Sequence, residues 1–102
     1  MANGLQGSGI GSSSNSTVFT ATTPIVVSLN VVNLHATNAD QVRVYLVPSG
    51  ASAANKYMIE YDTDLASKAV IERTGIVLGT GDYIVIYSNS GNSAFNVWGV
   101  EL

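Results

Sequence analysis

A serine, a histidine and an acid are the raw material of nucleophilic catalysis, and this chain holds all three. His35 is its one histidine, Asp40 follows closely, and serines are abundant. A Ser-His-Asp device needs an activated serine, an oriented imidazole and a carboxylate behind it. No G-x-S-x-G elbow presents such a serine, so His35 reads as a polar residue at a strand end. Asp62 and Asp64 form a D-x-D pair, the candidate cation ligands of the chain, with Glu60 or Asp82 as further oxygens. Calcium takes roughly 6–8 oxygens, and no EF-hand spacing follows the pair. The plainer reading is an aspartate turn capping a strand end. Glu60, Asp62, Glu72 and Asp82 are available as carboxylate pairs for glycoside hydrolysis, which needs them about 5–9.5 Å apart across a cleft. A small sandwich with short loops offers little cleft. Gly7–Gly11 (GSGIG) follows no strand and opens no helix, so it is no dinucleotide loop. The expectation is a chain that is not an enzyme and carries no cofactor.

The aromatic residues suggest binding instead. Tyr45, Tyr57, Tyr61, Tyr83, Tyr87 and Trp98 fall largely on phases opposite the aliphatic positions of their segments. Tyrosine and tryptophan are enriched where protein interfaces concentrate their binding energy. With Leu5 and Ile10 they form the expected interface set. Sugar stacking is a second use of such rings, and plain covering of an outer sheet face is a third.

Composition favours the first use. Of 102 residues, 46% are hydrophobic and only 11% charged, against roughly 25% charged in an average soluble domain. Surfaces that stay apart in solution rely on charge, whereas interface cores are depleted in Lys, Glu and Asp. Arg43, Lys56, Lys68 and Arg73 are the only cations in a net charge of −3. They form no cluster, which excludes a basic nucleic-acid face. There is no cysteine, so neither disulfides nor thiolate metal sites are expected. No apolar run approaches the roughly 20 residues that span a bilayer. The first residues lack the basic start and apolar stretch of a secretory signal, so synthesis in a cytoplasm is expected.

The elements that must position these residues are strands. Residues 1–16 are Gly/Ser/Asn-rich and read as an extended arm. Fixing a backbone costs about 1–2 kcal/mol per residue, so ordering such an arm costs on the order of 16 kcal/mol or more. Met1, Leu5 and Ile10 cannot offset that, so a neighbouring subunit or surface is expected to hold it. Residues 17–102 read as one domain with strands at Thr17–Thr20, Ile25–Asn33, Gln41–Val47, Lys56–Tyr61, Lys68–Arg73, Gly75–Leu78, Tyr83–Tyr87 and Ser93–Val100. Val27, Leu29 and Val31 share one face; so do Val42, Val44 and Leu46, with Arg43 and Tyr45 opposite. About seven to eight short strands at such spacing predict an all-β antiparallel β-sandwich, jelly-roll or Ig-like.

Four short motifs, in order, carry a resemblance. They are the apolar-Asn strand Leu29–Asn33, the strand end Glu60–Thr63 (EYDT), the turn Leu78–Asp82 (LGTGD) and the closing strand Asn96–Glu101 (NVWGVE). Over residues 17–102 the chain resembles small domains of tailed-bacteriophage virion proteins, departing at Asp64, where many such domains carry proline. The resemblance implies a virion structural protein, made in the host cytoplasm. Such a protein is a capsid decoration or cement protein, or else a tail, baseplate, collar or fibre component. A carbohydrate- or receptor-binding module is the alternative. Implied partners are further copies of the chain, as a homotrimer, and the major capsid protein or another virion protein. Nucleic acid and membrane are not among the expected partners.

Overall fold

In the computed structural model, which describes residues 3–102, eight strands form two four-stranded sheets packed face to face. The strands are β1 Gly4–Ile10, β2 Ser16–Thr20, β3 Ile25–Asn33, β4 Asp40–Val47, β5 Met58–Leu65, β6 Val70–Leu78, β7 Tyr83–Ser88 and β8 Ser93–Glu101. Sheet A runs β1-β8-β3-β6 and sheet B runs β2-β7-β4-β5, with every pairing antiparallel. The fold is the expected all-β sandwich.

Its core follows from period-two alternation. In β3, Ile25, Val27, Leu29 and Val31 are buried, while the residues between them are partly exposed. Phe95 and Val97 of β8 pack beside them in sheet A; Val42 and Val44 of β4 and Ile84 and Ile86 of β7 face them from sheet B. Each such aliphatic or aromatic side chain contributes roughly 1.5–3 kcal/mol by leaving water.

Other strand ends shift by one or two residues, and two larger changes come through bulges. The segments Lys68–Arg73 and Gly75–Leu78 join as β6. Thr74 and Gly75 together oppose the single residue Ser28, with Gly75 at φ 69°. In β5, Asp62 adopts φ 46° and the register with β4 shifts between Val42 and Val44. The extra residue lets the strand run on to Leu65 instead of ending at Tyr61. Asn55–Tyr57 forms a short 3-10 turn ahead of it.

The N-terminal segment differs most from expectation. Met1 and Ala2 lie outside the described residues. Gly4–Ile10, read as an arm held by a neighbour, instead forms β1 along β8 of its own chain. Its inward positions, Gly4, Gly7 and Gly9, oppose Gly99, Val97 and Phe95, which leaves Leu5, Ser8 and Ile10 facing outward. Glycine is required at Gly7: an added Cβ would lie 2.4 Å from the Val18 carbonyl oxygen of β2. Main-chain hydrogen bonding to β8, not side-chain burial, holds this strand.

Candidate assembly surface

The eight residues expected at an interface separate into three groups. Leu5, Ile10 and Trp98 lie on the outer face of sheet A. Tyr45 and Tyr83 lie on the outer face of sheet B beneath the loop of residues 48–57, whose own Tyr57 packs against the same cluster. Tyr61 and Tyr87 lie further along that second face, on either side of Arg43.

The second group is a correction. Tyr45 does point away from the main core, as its phase requires, but it is only 4% exposed. Small residues in the following loop, Ala51 and Ala53, close over Tyr45, Val47 and Val85, with Tyr57, Met58 and Tyr83 around them. The Tyr83 hydroxyl donates to the Ala51 carbonyl. This is a second, smaller core, and Tyr45 is not available to a partner.

The third group is an ionic nest. Arg43 donates from Nε to Asp62 Oδ1 at 2.5 Å and from Nη2 to Asp62 Oδ2 at 3.2 Å. Its guanidinium carbon stands 4.5 Å from the Tyr87 ring centre and 5.5 Å from that of Tyr61. The bulge at Asp62 turns that carboxylate onto the same face as Tyr61. The Arg43 hydrogen bond, opposed by partial desolvation, holds the Asp62 carboxyl below its ordinary range. Asp64 accepts from Gln41 Nε2 at 3.3 Å. Asp62 and Asp64 are thus engaged separately, and no group of three or more potential metal ligands occurs among the described residues.

The catalytic possibilities raised by the sequence are also dispersed. His35 Nδ1 accepts from the backbone N–H groups of Thr37 and Asn38, at 3.1 and 3.0 Å, and so shapes the turn after β3. Asp40 does not face it. This carboxylate, 2% exposed, accepts from Ser88 Oγ and Ser93 Oγ and from the N–H groups of Gln41 and Ser90. Burial would push the Asp40 pKa up; the four donors outweigh it and hold the carboxyl below its ordinary range. Beside it, the Asn33 amide donates to the carbonyls of Asn38, Leu65 and Ala66. Together these groups clamp one end of the sandwich. At the open edge, Arg73 of β6 reaches the buried Glu60 of β5, joining the sheets there.

That leaves the outer face of sheet A as the surface with no covering of its own. The register lays it out in transverse rows. Ile10, Ala94, Val32 and Val70 form one; Ser8, Asn96, Asn30 and Glu72 the next; then Leu5, Trp98 and Ser28; then Val100, Val26 and Val77. Leu5 is 68% exposed, Val77 67%, Ile10 56%, Val70 55% and Val100 54%. Across these rows Glu72 is the one charged residue. The central polar row is self-satisfied in part, since Asn96 Nδ2 donates to Asn30 Oδ1 at 3.2 Å. Sequence reasoning found Leu5, Ile10 and Trp98 but missed the valines. The available signal was β3 itself, where Val26 and Val32 occupy the phase opposite the core.

Fold and surface together define an antiparallel β-sandwich with one broad, nearly uncharged outer sheet face. Compared with known proteins, the chain matches no family model, no curated protein and no solved structure.

Proposed function

We propose that this chain is a structural component of a bacteriophage virion, a sandwich that works by packing against copies of itself and against another virion protein. A capsid decoration or cement role is the specific form of that reading, with the tail, baseplate, collar or fibre as the other location. The observation that carries it is the outer face of sheet A, where Leu5, Ile10, Val70, Val77 and Val100 stand exposed around Trp98. An isolated surface apolar residue needs no explanation, but apolar rows on either side of the one polar row of Ser8, Asn96, Asn30 and Glu72 do. Four strands at ~4.8 Å by nine residues at ~3.3 Å give a face of roughly 19 by 30 Å. That is on the order of 600 Å² before side-chain relief, close to the ~800 Å² per partner of a standard interface. The phage-like motifs of β3, β5, the turn before β7 and β8 support the same reading. On it, no residue is catalytic and no cofactor is required. A sugar platform on sheet B is less well supported, because Arg43 already occupies a face of both the Tyr61 and the Tyr87 ring.

The test places a charge on the face. Sedimentation of the purified protein, alone and with capsids or tails, is expected to show assembly or co-sedimentation. Val100→Lys and Val77→Lys are expected to abolish it while leaving the thermal midpoint unchanged. A wild-type chain that stays monomeric with every particle fraction overturns the reading. Mass spectrometry of separated heads and tails distinguishes the two locations.

A further inference from the structure

We propose that two copies of the chain pair through the outer faces of sheet A, related by a two-fold axis that runs along the strands, midway between β3 and β8. This deepens the assembly reading above and rests on it: it names the occupant of that face as a second copy and fixes which residues meet. The pairing is two-fold, where the resemblance implied three copies.

The relief of the face carries it. The central strands stand in direct register, with Val26↔Val100, Ser28↔Trp98, Asn30↔Asn96 and Val32↔Ala94 as outward pairs. Turning a second copy about an axis along the strands exchanges β3 with β8 and β6 with β1, and keeps each row on its own row. An isologous contact requires a surface that complements itself under its own rotation. The row of Leu5, Trp98 and Ser28 has this property. It is bulky over β1 and β8 and shallow over β3 and β6, where Thr74 and Gly75 oppose Ser28 in the bulge. The rotation sets Trp98 over Ser28 and Leu5 over Gly75, once on each side of the axis. In the polar row it sets Asn96 over Asn30, and Glu72 over the Ser8 hydroxyl, a hydrogen-bond donor. The one charged residue of these rows thus meets a donor at the rim, where water still reaches. The remaining rows lay apolar on apolar.

The other face-to-face rotation, about an axis across the strands, reverses the row order. It lays Trp98 on Asn96 and takes the central amides out of water without giving them new partners, which is costly. The area agrees with a pair. Two faces of the size given above bury about 1,200 Å² together, the lower limit of a standard stable interface. The centre of the face is uncharged, as interface cores are.

The chain has no cysteine, so thiols can be placed at will. Ser8 and Glu72 lie in one row but on the two edge strands of sheet A. Within one copy they are three strand spacings apart, roughly 14 Å; across the two-fold they face each other. Full-length Ser8→Cys and Glu72→Cys variants, each alone and mixed, are treated with dibromobimane, a short thiol-to-thiol linker. The concentration is one at which sedimentation shows pairs. The mixture is expected to yield a covalent heterodimer, identified by peptide mass spectrometry, at least tenfold more abundant than the homodimer from either variant alone. Ser28→Trp, which fills the hollow on an outer face, is expected to raise the dissociation constant of the pair tenfold or more with the β-sheet circular dichroism unchanged. Homodimer of Ser8→Cys in equal yield, or no bridged product at all, overturns the proposal. If those samples still sediment as assemblies, the two-fold pairing alone has failed and the packing reading stands. A wild-type chain that is monomeric by itself yet co-sediments with capsids or tails likewise overturns the pairing and leaves that reading in place; one that does neither overturns both.

Discussion

Asp40 and Ser93 belong to different sheets, and the Ser93 hydroxyl donates directly to Asp40 Oδ2. Ser88, at the end of β7, donates to the same oxygen. One buried carboxylate therefore ties β4 and β7 of sheet B to β8 of sheet A. Asp40→Ala leaves the buried Ser88 and Ser93 hydroxyls, and the part-buried N–H groups of Gln41 and Ser90, without their acceptor, and each buried unsatisfied group costs about 1–3 kcal/mol. The expected loss is about 3 kcal/mol or more in urea unfolding. Asp40→Asn, which keeps one acceptor oxygen, is expected to lose about half as much.

The same carboxylate sets an acid limit. Its folded pKa lies below the ordinary value of 3.8, so the folded state binds its proton less readily than the unfolded state. Its stabilisation is complete above the unfolded value and drains away as the pH falls through the lower folded one. Asp62, shifted in the same direction, adds to the trend. Thermal midpoints are expected to be flat from neutrality to about pH 5 and to fall below about pH 4. Asp40→Asn should flatten that acid limb; an unchanged limb would count against the role given to Asp40.

Two glycines of β1 separate close approach from mere composition. An added Cβ at Gly7 would lie 2.4 Å from the Val18 carbonyl oxygen, whereas at Gly9 it would meet nothing within 4 Å. Gly7→Ala is expected to cost about 1–3 kcal/mol by overpacking. Gly9→Ala is expected to be neutral or to stabilise by about 0.4–1 kcal/mol through the unfolded chain. Amide exchange along β8 reports whether β1 has lifted away.

Glu60 and Arg73 call for a double-mutant cycle. Glu60 is 5% exposed and also accepts from Thr63 Oγ1 at 2.8 Å. The Arg73 side chain is about half exposed, which screens the pair. Arg73→Ala is expected to destabilise by about 1–2 kcal/mol, chiefly by leaving a buried carboxylate oxygen unpaired. The Glu60→Gln/Arg73→Ala double variant is expected to cost less than the sum of the singles. Strict additivity would show that the two do not interact.

Tyr83→Phe removes the hydroxyl that reaches Ala51 while keeping the ring. The expected cost is about 1 kcal/mol, with faster proteolysis confined to residues 48–57. An unaltered cleavage pattern would mean that the small core beneath that loop does not depend on the bond.

Much of the fold could be read from the residues alone. Strict alternation identified β3 and β8, and the phase of Val42, Val44 and Leu46 was correct. β1 was illegible because its inward side is glycine: a strand that buries no side chain leaves no hydrophobic signature, and its Gly/Ser content reads as linker. The extension of β5 and the unity of β6 were hidden by bulges, each dependent on one residue with positive φ, Asp62 and Gly75. At the surface, phase was mistaken for exposure. Tyr45 and Tyr83 do face away from the main core, but covering them depends on how the loop of residues 48–57 folds, which no local pattern states. The Asp40 clamp joins residues 48 and 53 positions apart, and separations of that length are not visible in local periodicity.

The position of β1 beside β8 also decides how the molecule bears force. Gly4 pairs with Gly99, and the Glu101 N–H donates to Asn3 Oδ1, so the first and last described stretches lie side by side at one pole. Tension between them pulls along the direction of the hydrogen bonds joining antiparallel strands. Those bonds then break one after another, as in a zipper, instead of sharing the load in shear. A tether joining both ends would peel the outermost strand first, and the seven remaining strands would still hold their clamp at the far pole.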